Sequence, residues 1–402
     1  MRKLQSILFL LALPVIGSAY AQAPTGTIAG VVRDPSGAVV AGAQVKLVSL
    51  ATGLTRAANT SEEGDYSFLS LMAGEYLVST EAQGFRRIVR QATVEAGATT
   101  TTDLELVVGD TKESITVDGA SPQMHYDSHT VGGLITQSQI QDLPLNGRSL
   151  LELAKLEPGV QPPTRGTSNR TFVPALGQPV GNSGRGTRVT IDGGSIMAVG
   201  NGGSAMGLSQ EVVEEFQIST VGFDLSTGIT DGAAINVVTR SGGNDLHGSG
   251  FYFFRDHKLA AYPALNRDLT NPDPFFQRRQ FGFALGGPIR RDRIFFFVNW
   301  ERNEQRGVVA TTLSGDFANL SRITPSPYFG NQLSLRLDGR LSNAHTAFIR
   351  YSHDGVRAFG PPAFQPNAYP SSWLNQPAWV YTACGVVSQR CTRYRHCGMI
   401  TR

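Results

Sequence analysis

Cysteine is missing from the first 383 residues of this 402-residue chain; all three, Cys384, Cys391 and Cys397, fall in the last twenty. No disulfide framework therefore holds the body of the protein, and neither a C-x-x-C nor an H-x-x-E spacing is present to hold zinc. Long hydrophobic runs are equally scarce. Beyond the N-terminus nothing approaches the roughly 18 consecutive apolar residues of a membrane helix, so any crossing of a bilayer must be made by the strands of a barrel. Charge of one sign is lacking too: 35 basic against 32 acidic residues give a net +3, too little to argue for nucleic acid. Glycine is plentiful instead, 45 residues concentrated in turns and in the tract Gly181 to Gly207, as in an all-β, loop-rich protein.

The chain opens as a secretory signal: Arg2 and Lys3, the apolar run Ile7 to Ile16, and an A-x-A cleavage site ending at Ala21. Far downstream, aromatic-rich alternating runs follow one another: Gly248–Arg255, Gln277–Leu285, Arg293–Glu301, Gln332–Asp338 and Thr346–Ser352. Side chains on a strand alternate between faces, so each run sets an apolar row against a mostly polar one. The connections between them read long, short, long, short, long, as the extracellular loops and periplasmic turns of a transmembrane barrel do. On that reading Phe251, Phe253, Phe281, Phe283, Phe296 and Trp300 are expected on the lipid face. From about Ala383 the pattern breaks into a basic, cysteine-bearing stretch, which reads as a frameshifted or fragmentary tail rather than a metal site.

Residues 24–108 form a separate unit of short strands with a turn signal between each, including Thr27–Val32, the turn Asp34-Pro35-Ser36-Gly37, Ala43–Val48, Gly64–Phe68 and Gly74–Val78. The ordered set Gly30-Val-Val-Arg-Asp34-Pro-Ser-Gly37, Gly42-Ala43-x-Val45, Gly64-x-Tyr66-x-Phe68, Gly74-x-Tyr76 and Gly84-Phe85 resembles the carboxypeptidase regulatory-like domain. The resemblance implies a transthyretin-like, carbohydrate-binding-like β-sandwich. Tyr66, Phe68, Tyr76 and Phe85 are then core residues or sugar-stacking platforms; alternate strand positions favour the core.

Between the two lie the extended heptad Lys112–Asp118, a helical stretch Ser138–Leu143, Leu143-Pro-Leu-Asn-Gly-Arg148, a helix Leu150–Leu156, and the segments Val189–Gly193, Glu211–Ile218 and Gly232–Asn244. The last three segments resemble the plug domain of TonB-dependent outer-membrane transporters. Leu143–Arg148 together with Phe281–Phe297 is similar to the Oar-like branch of that family, in which a regulatory-like sandwich comes first. The resemblance implies a mainly β protein: signal peptide 1–21, β-sandwich 24–108, linker 109–119, α+β plug 120–245, the start of an antiparallel outer-membrane barrel over 246–382 with five strands and part of a sixth, and an aberrant tail 383–402.

It further implies a TonB box at Glu113, Ser114, Ile115, Thr116 and Val117, a strand offered by β-augmentation to a TonB-type energy-coupling protein. Plug loops bearing Arg165, Arg170, Arg185 and Arg188 become candidates for contact with substrate. The expected partners are that coupling protein, outer-membrane lipid and a carbohydrate or other ligand, with no nucleic acid. No cofactor is called for. His125 and His129 lie in a loop context unfit for a metal, and Glu214 and Glu215 point to opposite faces of a strand, so no catalytic set emerges. The expected function is import of an unidentified ligand across the bacterial outer membrane, here in an incomplete chain. The alternative is a non-transporting surface protein for adhesion or assembly whose sandwich binds carbohydrate.

Overall fold

A computed structural model of the chain describes residues 25–82, 84–109, 114–117, 131–142, 148, 187–196, 206–221, 233–261, 273–311, 315–342, 345–360, 372–387 and 396–401. The cleavage site at Ala21, both histidines of the 125/129 pair, and the expected helix over Leu150–Leu156 lie outside these residues.

The first unit is a two-sheet sandwich of β1 (Thr25–Arg33), β2 (Gln44–Ser49), β3 (Thr55–Asn59), β4 (Asp65–Met72), β5 (Gly74–Glu81), β6 (Arg87–Val94), β7 (Thr99–Thr101) and β8 (Leu104–Glu105). One sheet runs β4-β1-β7 with β8 also paired to β1. Alternation in β1, β2 and β4 turns Ile28, Val32, Val45, Leu47, Tyr66 and Phe68 into one core with Tyr76 and Val78, which settles the aromatics as core, Phe85 packing at its margin. The Tyr66 hydroxyl donates to the Thr102 carbonyl, so its one polar atom is satisfied. Gly30 makes that approach workable: a Cβ there would stand 2.0 Å from the Thr102 oxygen. At the Asp34–Gly37 turn the Asp34 carboxylate accepts from the Ser36 and Ala38 amides at 2.9 and 3.0 Å, and Gly37 takes the left-handed conformation. The second sheet runs β3-β2-β5-β6 and ends on β9 (Ser114–Val117).

The middle unit, where the resemblance puts the plug and called the plug below, is a five-stranded sheet of order β10-β13-β14-β11-β12. It is built from β10 (Val131–Thr136), the helix α1 (Gln137–Asp142), β11 (Thr187–Ile191), β12 (Gly194–Ser195), β13 (Val213–Val221) and β14 (Ala233–Thr239). Only the β14–β11 pairing is parallel. Asp192 and Gly193, both at positive φ, make the two-residue turn between β11 and β12. Ile135, Ile140, Ile191, Phe216, Ile218 and Val237 form its core.

The third unit is an antiparallel sheet in chain order: β15 (His247–Asp256), β16 (Phe276–Arg290), β17 (Ile294–Thr311), β19 (Tyr328–Arg340), β20 (His345–Gly360), β21 (Ser372–Val387) and β22 (His396–Thr401), with β18 (Arg322–Pro325) paired to the end of β17. Strands of 13 to 18 residues exceed the ~9–11 that cross a bilayer. Polar sequence outside the apolar band continues the hydrogen-bond ladder, so the alternating runs mark only the middle of each strand. The turns after β16 and β19 are the short ones, as the sequence indicated.

Two expectations are corrected. The sixth strand, β21, is full length and β22 pairs with it in backbone register from Val380 to Gly385, so the sheet extends into the expected tail; Cys384 is disulfide-bonded. The aromatic rows also divide. Tyr252, Phe283, Leu337 and Ile349, exposed by 63, 44, 50 and 62%, share the outer face with Phe281 and Trp300. Phe251 and Phe253 instead face the plug, where the Arg148 guanidinium lies 4.1 and 5.3 Å from their ring centroids. Four consecutive aromatics, Phe251 to Phe254, give both faces the same character, so period alone assigns neither.

Candidate plug lock and coupling strand

The inward row of the barrel sheet is polar, and the plug meets it through two desolvated charge clusters. In the first, the β11–β12 turn projects Asp192 against β19 and β20. Arg350 Nε donates to Asp192 Oδ2 at 2.8 Å and its other nitrogens donate to Ser352, Thr382 and the Ile191 carbonyl. Arg336 donates to the Thr239 carbonyl and hydroxyl at 2.7 and 2.8 Å, pairs with Asp338 at 2.8 Å and stands 3.7 Å from Asp192. The Thr239 amide and hydroxyl donate to Asp192 at 2.9 and 2.8 Å, completing its shell. Asp192, Arg336 and Arg350 are all within 2% of full burial. Two arginines on barrel strands thus converge on one plug carboxylate, with the end of β14 closing the set.

In the second cluster, Arg148 is held at positive φ beyond the Pro144–Asn146 segment, bonds Glu211 at 2.8 Å and approaches Glu301 of β17 to 3.8 Å, while stacking on Phe251 and Phe253. Ser249 donates to Glu211 and Ser209 to Glu301, at 2.8 and 2.6 Å. Nearby, the Gly207 amide donates to Asp354 of β20 at 2.7 Å. One strand edge, one turn and one loop of the plug are therefore tied to four barrel strands.

The sandwich is docked below this assembly. The Ala96 amide donates to Glu215 Oε1 of β13 at 2.8 Å, and Gln217 Nε2 donates back to the Ala96 carbonyl. On its other side the Asn244 amide donates to the Ala51 carbonyl at 2.8 Å, and Asn244 exchanges hydrogen bonds with Asp292 in the short turn between β16 and β17. The sandwich thus touches the rim that carries the short turns.

Glu214 lies 3.9 Å from Arg240, and Glu215 accepts from the Ala96 amide. Burial pushes the Glu215 carboxyl up to about 7, with Glu95 and Glu214 adding to it and the Ala96 amide opposing. A carboxyl whose pKa is raised on folding stabilises the folded form below its ordinary value of 4.5, and the contribution is lost as pH rises through about 7. Stability should therefore fall between pH 5 and 7.5, by about 1.4 kcal/mol per pH unit while Glu215 titrates. Denaturant midpoints across that range are expected to decline for the native chain and to run flatter for Glu215→Gln.

Of the expected TonB-box residues, Ser114, Ile115, Thr116 and Val117 form β9, and Glu113 lies outside the described residues. β9 is not a free segment: it pairs in parallel with β6, Ser114 opposite Arg87 through Val117 opposite Arg90. Arg165, Arg170 and Arg185 lie outside the described residues. Arg188 does not sit in a loop, as expected, but within β11 opposite Ala234, half-buried and with its Nε unbonded. The β-branched run from Thr187 carries the chain straight into the plug sheet. Sequence reasoning missed Asp192, Arg336 and Arg350; the only trace of the last two is a charge placed in step with the polar row of its strand. Among the described residues no cluster of metal-binding side chains occurs.

A family model for the carboxypeptidase regulatory-like domain matches residues 27–107, and one for an outer membrane beta barrel domain matches residues 238–315. β15, β16 and β17 thus fall within the outer-membrane barrel match. The chain is 29% identical over 255 residues to the TonB-dependent transporter Oar of Myxococcus xanthus, a match covering 60% of this chain and 23% of the relative. The chain accordingly spans about a quarter of the length of that curated relative. Similar solved structures include the outer membrane transporter YddB from Escherichia coli, with TM-score 0.47, 12% identity, and coverage of 63% of this chain and 36% of that one. The siderophore receptor PirA from Acinetobacter baumannii gives TM-score 0.43, 14% identity, and coverage of 63 and 37%.

Proposed function

We propose that this chain belongs to a TonB-dependent outer-membrane importer, a receptor that binds a ligand outside the cell and passes it to the periplasm when a coupling protein pulls on Ser114–Val117. The observation that carries the reading is the plug sheet held by buried charges against the polar row of the barrel strands, with the sandwich that includes β9 bonded to the short-turn rim through Ala51 and Asn244. A plug held this way is closed at rest and can be moved only by work done on it, since drawing Asp192 from Arg350 and Arg336 leaves charges uncompensated. Energy from the inner membrane supplies that work through an extended segment that adds to a sheet edge of the partner. The signal sequence ending at Ala21 directs export. Arg165, Arg170 and Arg185 remain the candidates for contact with ligand, whose class is unassigned. The buried Tyr66, Phe68 and Tyr76 leave the sandwich without an exposed aromatic platform, which removes the support for carbohydrate stacking there.

The test is a deletion strain assayed for uptake of a panel of large solutes, including iron chelates, sugars and peptides. Loss of uptake of one solute, reproduced in the parent strain by a protonophore, is the expected outcome. Unaltered uptake of every solute together with changed adhesion would replace transport by the surface-protein reading.

A further inference from the structure

β9 is the terminal strand of the sandwich sheet β3-β2-β5-β6-β9. Its pairing with β6 spans four consecutive positions in unbroken parallel register. In a strand, successive backbone groups point to opposite edges, so pairing on one side leaves a row of donors and acceptors on the other. Among the described residues no strand lies against that second edge. The body beneath β9 is firm: β6 contributes Ile88, Ala92 and Val94 to the sandwich core and pairs with β5 over seven positions. That body is fixed to the plug through Ala96, Glu215 and Gln217, and to the barrel rim through Ala51 and Asn244.

We infer that the sandwich is a presentation platform: the outer edge of β9, while β9 stays paired to β6, is the surface to which a strand of the coupling protein adds, extending the sandwich sheet by one strand. This rests on the coupling role proposed above for Ser114–Val117. A free segment would have to be ordered on binding, whereas β9 is already extended and in register, so the partner meets a preorganised edge. The partner that fits is a protein domain with an exposed β-edge, recognised through backbone hydrogen bonds. It also gives the sandwich a reason to precede the coupling strand. Pulling would then move strand and sandwich together, and Ala96 would be drawn from Glu215 before tension reaches β10.

A disulfide clamp tests this. Val89 and Thr116 are register partners, and neighbouring strands bring Cα atoms within the roughly 4.4–6.8 Å that a disulfide spans. The full chain carrying Val89→Cys and Thr116→Cys would be oxidised and compared with its reduced form. The Val89→Cys single variant and the unsubstituted chain are treated alike, because Cys384 is itself disulfide-bonded. The probe is the purified periplasmic C-terminal domain of the TonB-type protein. The clamp should close, and the clamped chain should bind the probe within about threefold of the reduced one. Failure of the clamp to close, or a tenfold or greater loss of binding that reduction restores, overturns the platform while leaving the coupling role intact. Absence of binding in every form, the unsubstituted chain included, overturns the coupling role itself and the platform with it.

Discussion

Asp192→Ala should be the most damaging single substitution in the chain, lowering stability by about 3–5 kcal/mol, because it removes one partner from a buried charge set and leaves the other behind. Arg350 has no other carboxylate within reach among the described ion pairs, whereas Arg336 keeps Asp338. The Thr239 amide would lose its acceptor as well. Denaturant midpoints in detergent measure the loss. The double variant Asp192→Ala, Arg350→Met should recover part of it, since removing both charges from a buried pair costs less than removing one. If the single and double variants were equally unstable, the damage would come from the β11–β12 turn and not from stranded charge.

Arg148→Ala is expected to have the next largest effect, again about 3–5 kcal/mol, as Glu211 and Glu301 would be left facing each other without the cation between them. The stacking on Phe251 and on the half-exposed Phe253 would go too, worth about 1 kcal/mol. Arg148→Lys restores the charge without the planar group and should recover only part of the loss, because a guanidinium alone both stacks and bonds the carboxylates. Protease susceptibility of the plug alongside the denaturant midpoint separates release of the plug from unfolding of the sandwich. Arg148→Ala should speed cleavage in the plug and leave the sandwich intact.

Local periodicity carried most of the architecture. The sandwich strands, the aromatic core of Tyr66, Phe68 and Tyr76, and the alternation of short turns and long loops follow from spacing and turn residues that act over a few positions. What stayed hidden depends on contacts distant in sequence. Arg350 and Asp192 are 158 residues apart, and nothing near either one names the other. The inward placement of Phe251 and Phe253 was illegible for a related reason: aromatic residues suit both a lipid face and a cation lid, and only Arg148 decides between them. β9 was readable as an extended segment, yet β-propensity does not say which sheet edge receives a strand. Glu215 looked like half of an idle carboxylate pair until the Ala96 amide gave it a partner in another domain. Arg188 misled because its glycine-rich surroundings read as loop while the β-branched residues after it already belonged to β11.

Ligand uptake by cells carrying Ile115→Pro in place of the native residue decides whether work reaches the plug through β9. Proline removes a backbone donor from β9, which already pairs with β6 and needs its remaining edge for a partner strand, while the plug lock and the outer face are untouched. Ligand should still bind at the cell surface with unchanged affinity, and energised uptake should fall to the level of the deletion strain. Uptake at the native rate would contradict the account, because the segment through which work reaches the plug would then lie elsewhere.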